Sequence, residues 1–262
     1  MTSRTSAAWP LLSRRDFLRD GIGAVAAPAI ARCDALRRLC TSGERLTARP
    51  GVPTLTPEPG LSRLGLGSSR DGNLYVPAGY SPDRPAPLYV GLHGAGSSGD
   101  GWRTAPDMAE ARGMVFLAPD SRGRTWDLVL GGFGPDIEFL DQALRHTFER
   151  CAIDRSRIAL GGWSDGATYA LSLGVCNGDL FTHLMAYAPG FYSPGRQTRR
   201  RPRIFITHGT QDEVLPVENT RLNVVPTLRS EGYDVSYREH DGTHRTPEVM
   251  VEQSLQWFLP RR

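Results

Sequence analysis

Lysine is absent from the 262-residue chain, so all 31 basic residues are arginine. We read this as a coding bias of the genome, not as a functional trait. One consequence is chemical: no Gly-Lys-Ser/Thr can follow any glycine-rich loop, which argues against a phosphate-binding P-loop. Cysteine is scarce as well. Cys33, Cys40, Cys151 and Cys176 have no metal-type spacing, and nothing in the pattern calls for a metal or a cofactor. Cys151 and Cys176 read as small buried hydrophobes more readily than as a disulfide. There is no apolar run of the roughly 20 residues a membrane span needs. The net charge is only +3, with acids and bases interspersed, so no nucleic-acid partner is implied. The one basic run, Arg196 to Arg203, reads as a solvated loop. Glycine and proline are frequent but follow no period, which excludes a collagen-like or low-complexity chain.

The first 31 residues read as an address. Ser13-Arg14-Arg15-Asp16-Phe17-Leu18-Arg19 resembles a twin-arginine export signal. A weakly apolar Gly/Ala run and Ala29-Ile30-Ala31, a signal-peptidase-like site, follow it. The expected partner is the twin-arginine export machinery, and the expected destination the periplasm or the exterior. Residues 32–69 hold Pro50, Pro53, Pro57 and Pro59, which argue against regular elements and for a linker or a surface-hugging extension.

From residue 70 to 262, short apolar runs alternate with helical periodicity. Strands are expected at 73–77, 88–93, 114–119, 158–161, 184–187, 203–207 and 235–239, and helices at 104–112, 135–151, 218–230 and 247–259. In the 135–151 helix Ile137, Leu140, Leu144, Phe148 and Cys151 fall on one face. This alternation predicts an α/β domain with a mostly parallel, doubly wound sheet flanked by helices. Ligand sites in such sheets lie at the carboxyl ends of the strands.

Four chemically capable segments fall at those ends. Gly162-Trp163-Ser164-Asp165-Gly166 sits between an apolar strand and a helix, the context in which a G-x-S-x-G turn presents a nucleophilic serine. After Leu92, His93-Gly94-Ala95-Gly96 supplies unhindered backbone amides. We assign the Ala95 and Asp165 N–H groups as oxyanion donors and read His93 as a structural residue of that loop. After Thr207 comes Asp212, with Glu213 as the alternative carboxylate. After Glu239 come His240 and His244, of which His244 lies in the loop that should overhang Ser164. His146, on a helix, reads as a surface residue. Chain order is then Ser164, Asp212, His244. In such a set the imidazole takes the serine proton, the carboxylate holds its tautomer, and an acyl-enzyme forms and is hydrolysed.

These segments resemble the α/β-hydrolase superfamily. The nearest likeness is to its small phospholipase/carboxylesterase-like esterases and to the polyhydroxybutyrate-depolymerase and feruloyl-esterase-like branch. The matching residues are 92–96, 162–166, 208–216 and 242–244, with Pro119-Asp120 and 136–140 in support. The resemblance implies a serine hydrolase acting on a small-molecule or polymer ester, with Ser164, Asp212 and His244 as nucleophile, acid and base. Asp165 departs from it, since relatives often carry Gln, Ala or Met there. No large lid fits between the segments. Trp102, Trp126 and Trp163, with Phe133 and Phe191, are expected near the strand-end loops, where they line a substrate pocket or, for two or three of them, simply join the core. A serine peptidase of the same fold and a catalytically inactive binding protein are the alternative readings.

Overall fold

A computed structural model describes residues 44–67, 69–193 and 197–259. The export-signal segment 1–31 lies outside the described residues. Eight strands form one sheet: β1 Gly60–Arg63, β2 Gly72–Val76, β3 Ala86–Leu92, β4 Val115–Pro119, β5 Ile153–Trp163, β6 His183–Tyr187, β7 Arg203–Gly209 and β8 Val235–His240. Their spatial order is β1-β2-β4-β3-β5-β6-β7-β8. β1 and β2 pair antiparallel, β2 runs antiparallel to β4, and every later pairing is parallel. The helices are α1 Ala105–Glu110, α2 Asp127–Leu130, α3 Pro135–Arg150, α4 Asp165–Cys176, α5 Val217–Asn219, α6 Val225–Ser230 and α7 Glu248–Phe258, with a π-helical turn Thr220–Val224 between α5 and α6.

The centre of the sheet is buried on both faces because its strands carry apolar side chains both ways. Successive residues point to opposite sides. Thus Leu88, Val90 and Leu92 of β3 join Leu117, Leu160 and the α3 and α4 side chains Leu140, Leu144, Ala167 and Leu171. Tyr89 joins Phe116, Ala159, Met185 and the α7 side chains Val251, Leu255 and Phe258. No lid-sized insertion interrupts the described elements. Among the described residues no helix is long and apolar enough to cross a membrane.

Three expectations are corrected. A regular strand does form within 32–69: β1 pairs Gly60–Arg63 with Val76–Asn73 of β2. It lies beyond the last proline of that segment, Pro59, so no ladder donor is lost. Upstream of it, the chain is fastened to the body. The Leu46 amide donates to Asn177 Oδ1 at 2.9 Å, and those of Thr47 and Ala48 both donate to Asp141 Oδ1 at 2.7 Å. Arg45 and Arg49 share Asp179 at 2.8 and 2.6 Å, while Leu46 and Ala48 are buried. This part of the segment therefore hugs the body of the fold, one of its two expected forms. The helix expected at 218–230 is three pieces, because Pro226 has no N–H to close an α-type bond and the preceding turn widens. Cys151 and Cys176 are buried as expected, but Cys151 caps α3 instead of lying within it.

Candidate active site

β5 ends at Trp163 and α4 begins at Asp165, so Ser164 alone makes the turn. Its φ of 58° and ψ of −120° are a left-handed conformation that costs a non-glycine residue about 1–3 kcal/mol. The neighbours hold it there. The Ser164 amide donates to Tyr187 O at 2.9 Å, and the amides of Ala167 and Thr168 donate to Ser164 O at 3.0 and 3.1 Å. The flanking glycines are required by backbone contact. A Cβ on Gly162 would lie 2.4 Å from the Gly166 carbonyl carbon, and one on Gly166 would lie 2.3 Å from Leu92 O. The turn is thus wedged between its own helix and the end of β3.

The loop after β3 packs against this turn: a Cβ on Gly94 would meet the Trp163 ring at 2.5 Å and Ser164 Cβ at 3.4 Å. His93 anchors the loop. Its Nε2 accepts from the Ser121 amide at 3.0 Å, so the ring proton sits on Nδ1 and is donated to Gly94 O at 2.7 Å. Burial outweighs that bond and pulls the His93 pKa down to about 4, so the ring is neutral. Holding the Gly94 carbonyl fixes the Gly94–Ala95 peptide plane, and the trans geometry aims the Ala95 N–H the opposite way. The second assigned donor, Asp165 N–H, is one of the first-turn amides of α4 that an α-helix leaves without an intrahelical partner.

His244 lies beyond β8. Its Nε2 is 2.9 Å from Ser164 Oγ and its Nδ1 2.6 Å from Asp212 Oδ2. Asp212 sits beyond β7 and is buried. Its Oδ1 accepts the Val214 and Leu215 amides at 2.9 and 2.8 Å, and its Oδ2 also accepts from His208 Nε2 at 3.0 Å. Burial alone would raise its pKa. The bonds from His208, His244 and Leu215 overcome that and hold the carboxyl well below the usual carboxylate range. Ser164, His244 and Asp212, from the ends of three strands, therefore form one hydrogen-bonded chain. His240 is turned elsewhere, with Nε2 on Arg245 O at 2.8 Å, and Glu213 is exposed.

Two of the three tryptophans are corrected. Trp126 is fully buried; its Nε1 donates to His93 O at 2.8 Å and its ring lies between His93 and Tyr169. Trp102 is buried on the other face of the sheet, against Tyr89 and Phe116. Both follow strands, yet large apolar rings gain more in the core than in an open loop. Trp163 is half-buried, its ring 5.0 Å from that of His244, which places it at the candidate site. Phe133 and Phe191 are half-buried and pack against the core.

The Asp165 side chain turns toward Thr125, whose hydroxyl donates to Oδ2. Burial pushes its carboxyl pKa up, while Thr125 and the nearby His244 oppose the rise. An ionised carboxylate there favours protonated His244 and disfavours an oxyanion. Asp165→Asn should therefore move the acid limb of the kcat/KM–pH profile to lower pH without reducing the plateau. A limb that stays in place would show that Asp165 does not act on His244.

Among the described residues no three His, Cys, Asp or Glu side chains are grouped to hold a metal ion. Residues 89–255 match the family model described as the Alpha/beta hydrolase family. The chain belongs to the α/β hydrolase family. It is 29% identical over 177 residues to feruloyl esterase C of Emericella nidulans, covering 63% of this chain and 62% of that one, so the match spans about three fifths of the relative's length. A ferulic acid esterase from Anaeromyces mucronatus, solved in complex with ferulic acid, superposes with a TM-score of 0.59 at 19% identity, over 81% of this chain and 95% of the other. An acetyl xylan esterase from Aspergillus awamori gives a TM-score of 0.61 at 15% identity, over 76% and 98%. At those identities the two structures speak to the α/β-hydrolase fold alone.

His208 carries no role in the motif reading. The signal was its place in His208-Gly209-Thr210-Gln211-Asp212, four residues before the carboxylate, but spacing along a strand end does not say that the ring turns back onto Asp212.

Proposed function

We propose that this α/β hydrolase is a serine esterase that cleaves carboxylic esters. Ser164 Oγ attacks the ester carbonyl while His244 Nε2 takes its proton, and Asp212 holds the imidazole with Nδ1 protonated. The Ala95 and Asp165 amides receive the tetrahedral oxyanion, and one such donor is worth about 2.7–4 kcal/mol of barrier. Protonated His244 then returns its proton to the leaving alcohol. Water, deprotonated by the same ring, releases the acid from the acyl-enzyme. The observation that carries this reading is the Ser164–His244–Asp212 chain at 2.9 and 2.6 Å, next to an anchored amide loop.

The choice of esters over amides rests on the feruloyl esterase relative. Trp163 beside His244 offers an apolar ring for the acyl group. The deciding experiment is a panel of p-nitrophenyl acetate, p-nitrophenyl butyrate and methyl ferulate, run beside a matched anilide, together with fluorophosphonate labelling. Hydrolysis of esters in preference to the anilide, with labelling of Ser164, is the expected outcome. Neither hydrolysis nor labelling would overturn the reading, and faster anilide cleavage would point to a peptidase. Export by the twin-arginine route is part of the proposal. Mature protein recovered from the periplasm should begin near Arg32, and an intact Met1 on active cytoplasmic protein would count against it.

A further inference from the structure

The Asp212 carboxylate serves two imidazoles through the same oxygen. Oδ2 lies 2.6 Å from His244 Nδ1 and 3.0 Å from His208 Nε2. His208 is completely buried on β7. Its Nε2 faces two acceptors, Asp212 Oδ2 and, at 2.8 Å, Leu215 O, and neither has a hydrogen to give, so Nε2 must carry one. Its Nδ1 is 2.9 Å from Thr220 Oγ1, which also reaches Pro189 O at 3.2 Å. Thr220 opens the π-helical turn, a local widening that recurs at functional sites. The ring is therefore fixed at both nitrogens.

We propose that His208 is a positioning residue that sets the basicity of His244 through the Asp212 oxygen the two rings share. The inference rests on the esterase reading of Ser164, His244 and Asp212. A second N–H on Oδ2 takes up part of the negative charge that would otherwise stabilise protonated His244. The base is thereby kept free at lower pH than a carboxylate with one partner would allow.

The other charged groups facing the pair do not supply this effect. Glu239 stands opposite His208 in the β7–β8 register, but Arg221 grips both its oxygens at 2.7 Å and Tyr237 donates to it at 2.8 Å. Asp165, bonded to Thr125, acts on His244 by direct charge attraction and makes no bond to Asp212. Glu213 and Glu218 are exposed.

The test compares wild type, His208→Leu and His208→Gln across the pH range. Glutamine can place an amide N–H near the position of Nε2 and still serve both acceptors. In His208→Leu the acid limb of kcat/KM should move up by about half to one pH unit. That is a threefold to tenfold loss on the limb, with the alkaline plateau within about twofold of wild type. In His208→Gln the limb should return toward its original position. A uniform loss at every pH, equal in both variants, would mean a merely structural role and overturn the proposal.

Should His208→Leu fail to fold, histidine-selective 15N spectra of the wild-type chain decide the matter. Nε2 of His208 must be protonated throughout the working range, and an unprotonated Nε2 overturns the inference. Fluorophosphonate labelling of the same sample keeps the two questions apart. An unlabelled Ser164 would sink the hydrolase reading, whereas a labelled one with an unshifted limb would sink only the role of His208.

Discussion

Replacing Ser164 by alanine should lower kcat for p-nitrophenyl acetate by about ten-thousandfold to a millionfold, leaving only what the amide loop and binding contribute. The fold should persist. The side chain's bond is to His244, while the turn is held by backbone bonds to Tyr187, Ala167 and Thr168. Alanine bears the same left-handed strain as serine, so circular dichroism and the unfolding midpoint should stay close to wild type. Fluorophosphonate labelling should vanish together with turnover. Retention of more than a few per cent of kcat would show that another group delivers the nucleophile.

Asp212→Asn should cost about ten-thousandfold in kcat near neutral pH. The reason lies in which way the amide can sit. The Val214 and Leu215 N–H groups at 2.9 and 2.8 Å require an oxygen at the Oδ1 position. The asparagine NH2 is then forced to the Oδ2 position, facing the N–H groups of His208 and His244. His244 must turn its Nδ1 lone pair toward that donor and carry its proton on Nε2, where it can no longer accept from Ser164. Glu213→Gln, at an exposed carboxylate, should leave kcat unchanged. Activity of Asp212→Asn within tenfold of wild type, with a loss in Glu213→Gln instead, would move the acid to Glu213.

Much of the framework could be read from residue order. Short apolar runs bounded by turn residues marked the seven strands from β2 to β8, and the helical period marked α3 and α7. Ser164, Asp212 and His244 were visible because each follows a strand, and a parallel sheet brings strand ends together whatever their distance in sequence. What order cannot show is which way a side chain faces. Trp102 and Trp126 follow strands as Trp163 does, but their rings fill the core, where Trp126 Nε1 finds the His93 carbonyl. Strand β1 has only four residues beside a proline-rich segment and exists because β2 offers it an edge. His208 escaped for a related reason. Its role comes from a ring turned back onto a neighbouring loop and from Thr220, whose placement depends on a widened helical turn.

The position of β8 also bears on how the enzyme would fail under stress. Ser164 follows a strand held between β3 and β6, whereas His244 follows a strand that, among the described residues, is bonded only to β7, with side chains half-buried or exposed. Edge elements open locally at less cost than the whole domain. The His244 imidazole can thus be lost while the half of the sheet that carries Ser164 remains intact. In a urea titration, activity should disappear at lower concentration than the far-ultraviolet signal of the sheet, and coincident curves would show that β8 opens only with the rest. Inactivation of this kind would be a reversible fraying at one border, repaired as soon as the strand re-pairs with β7.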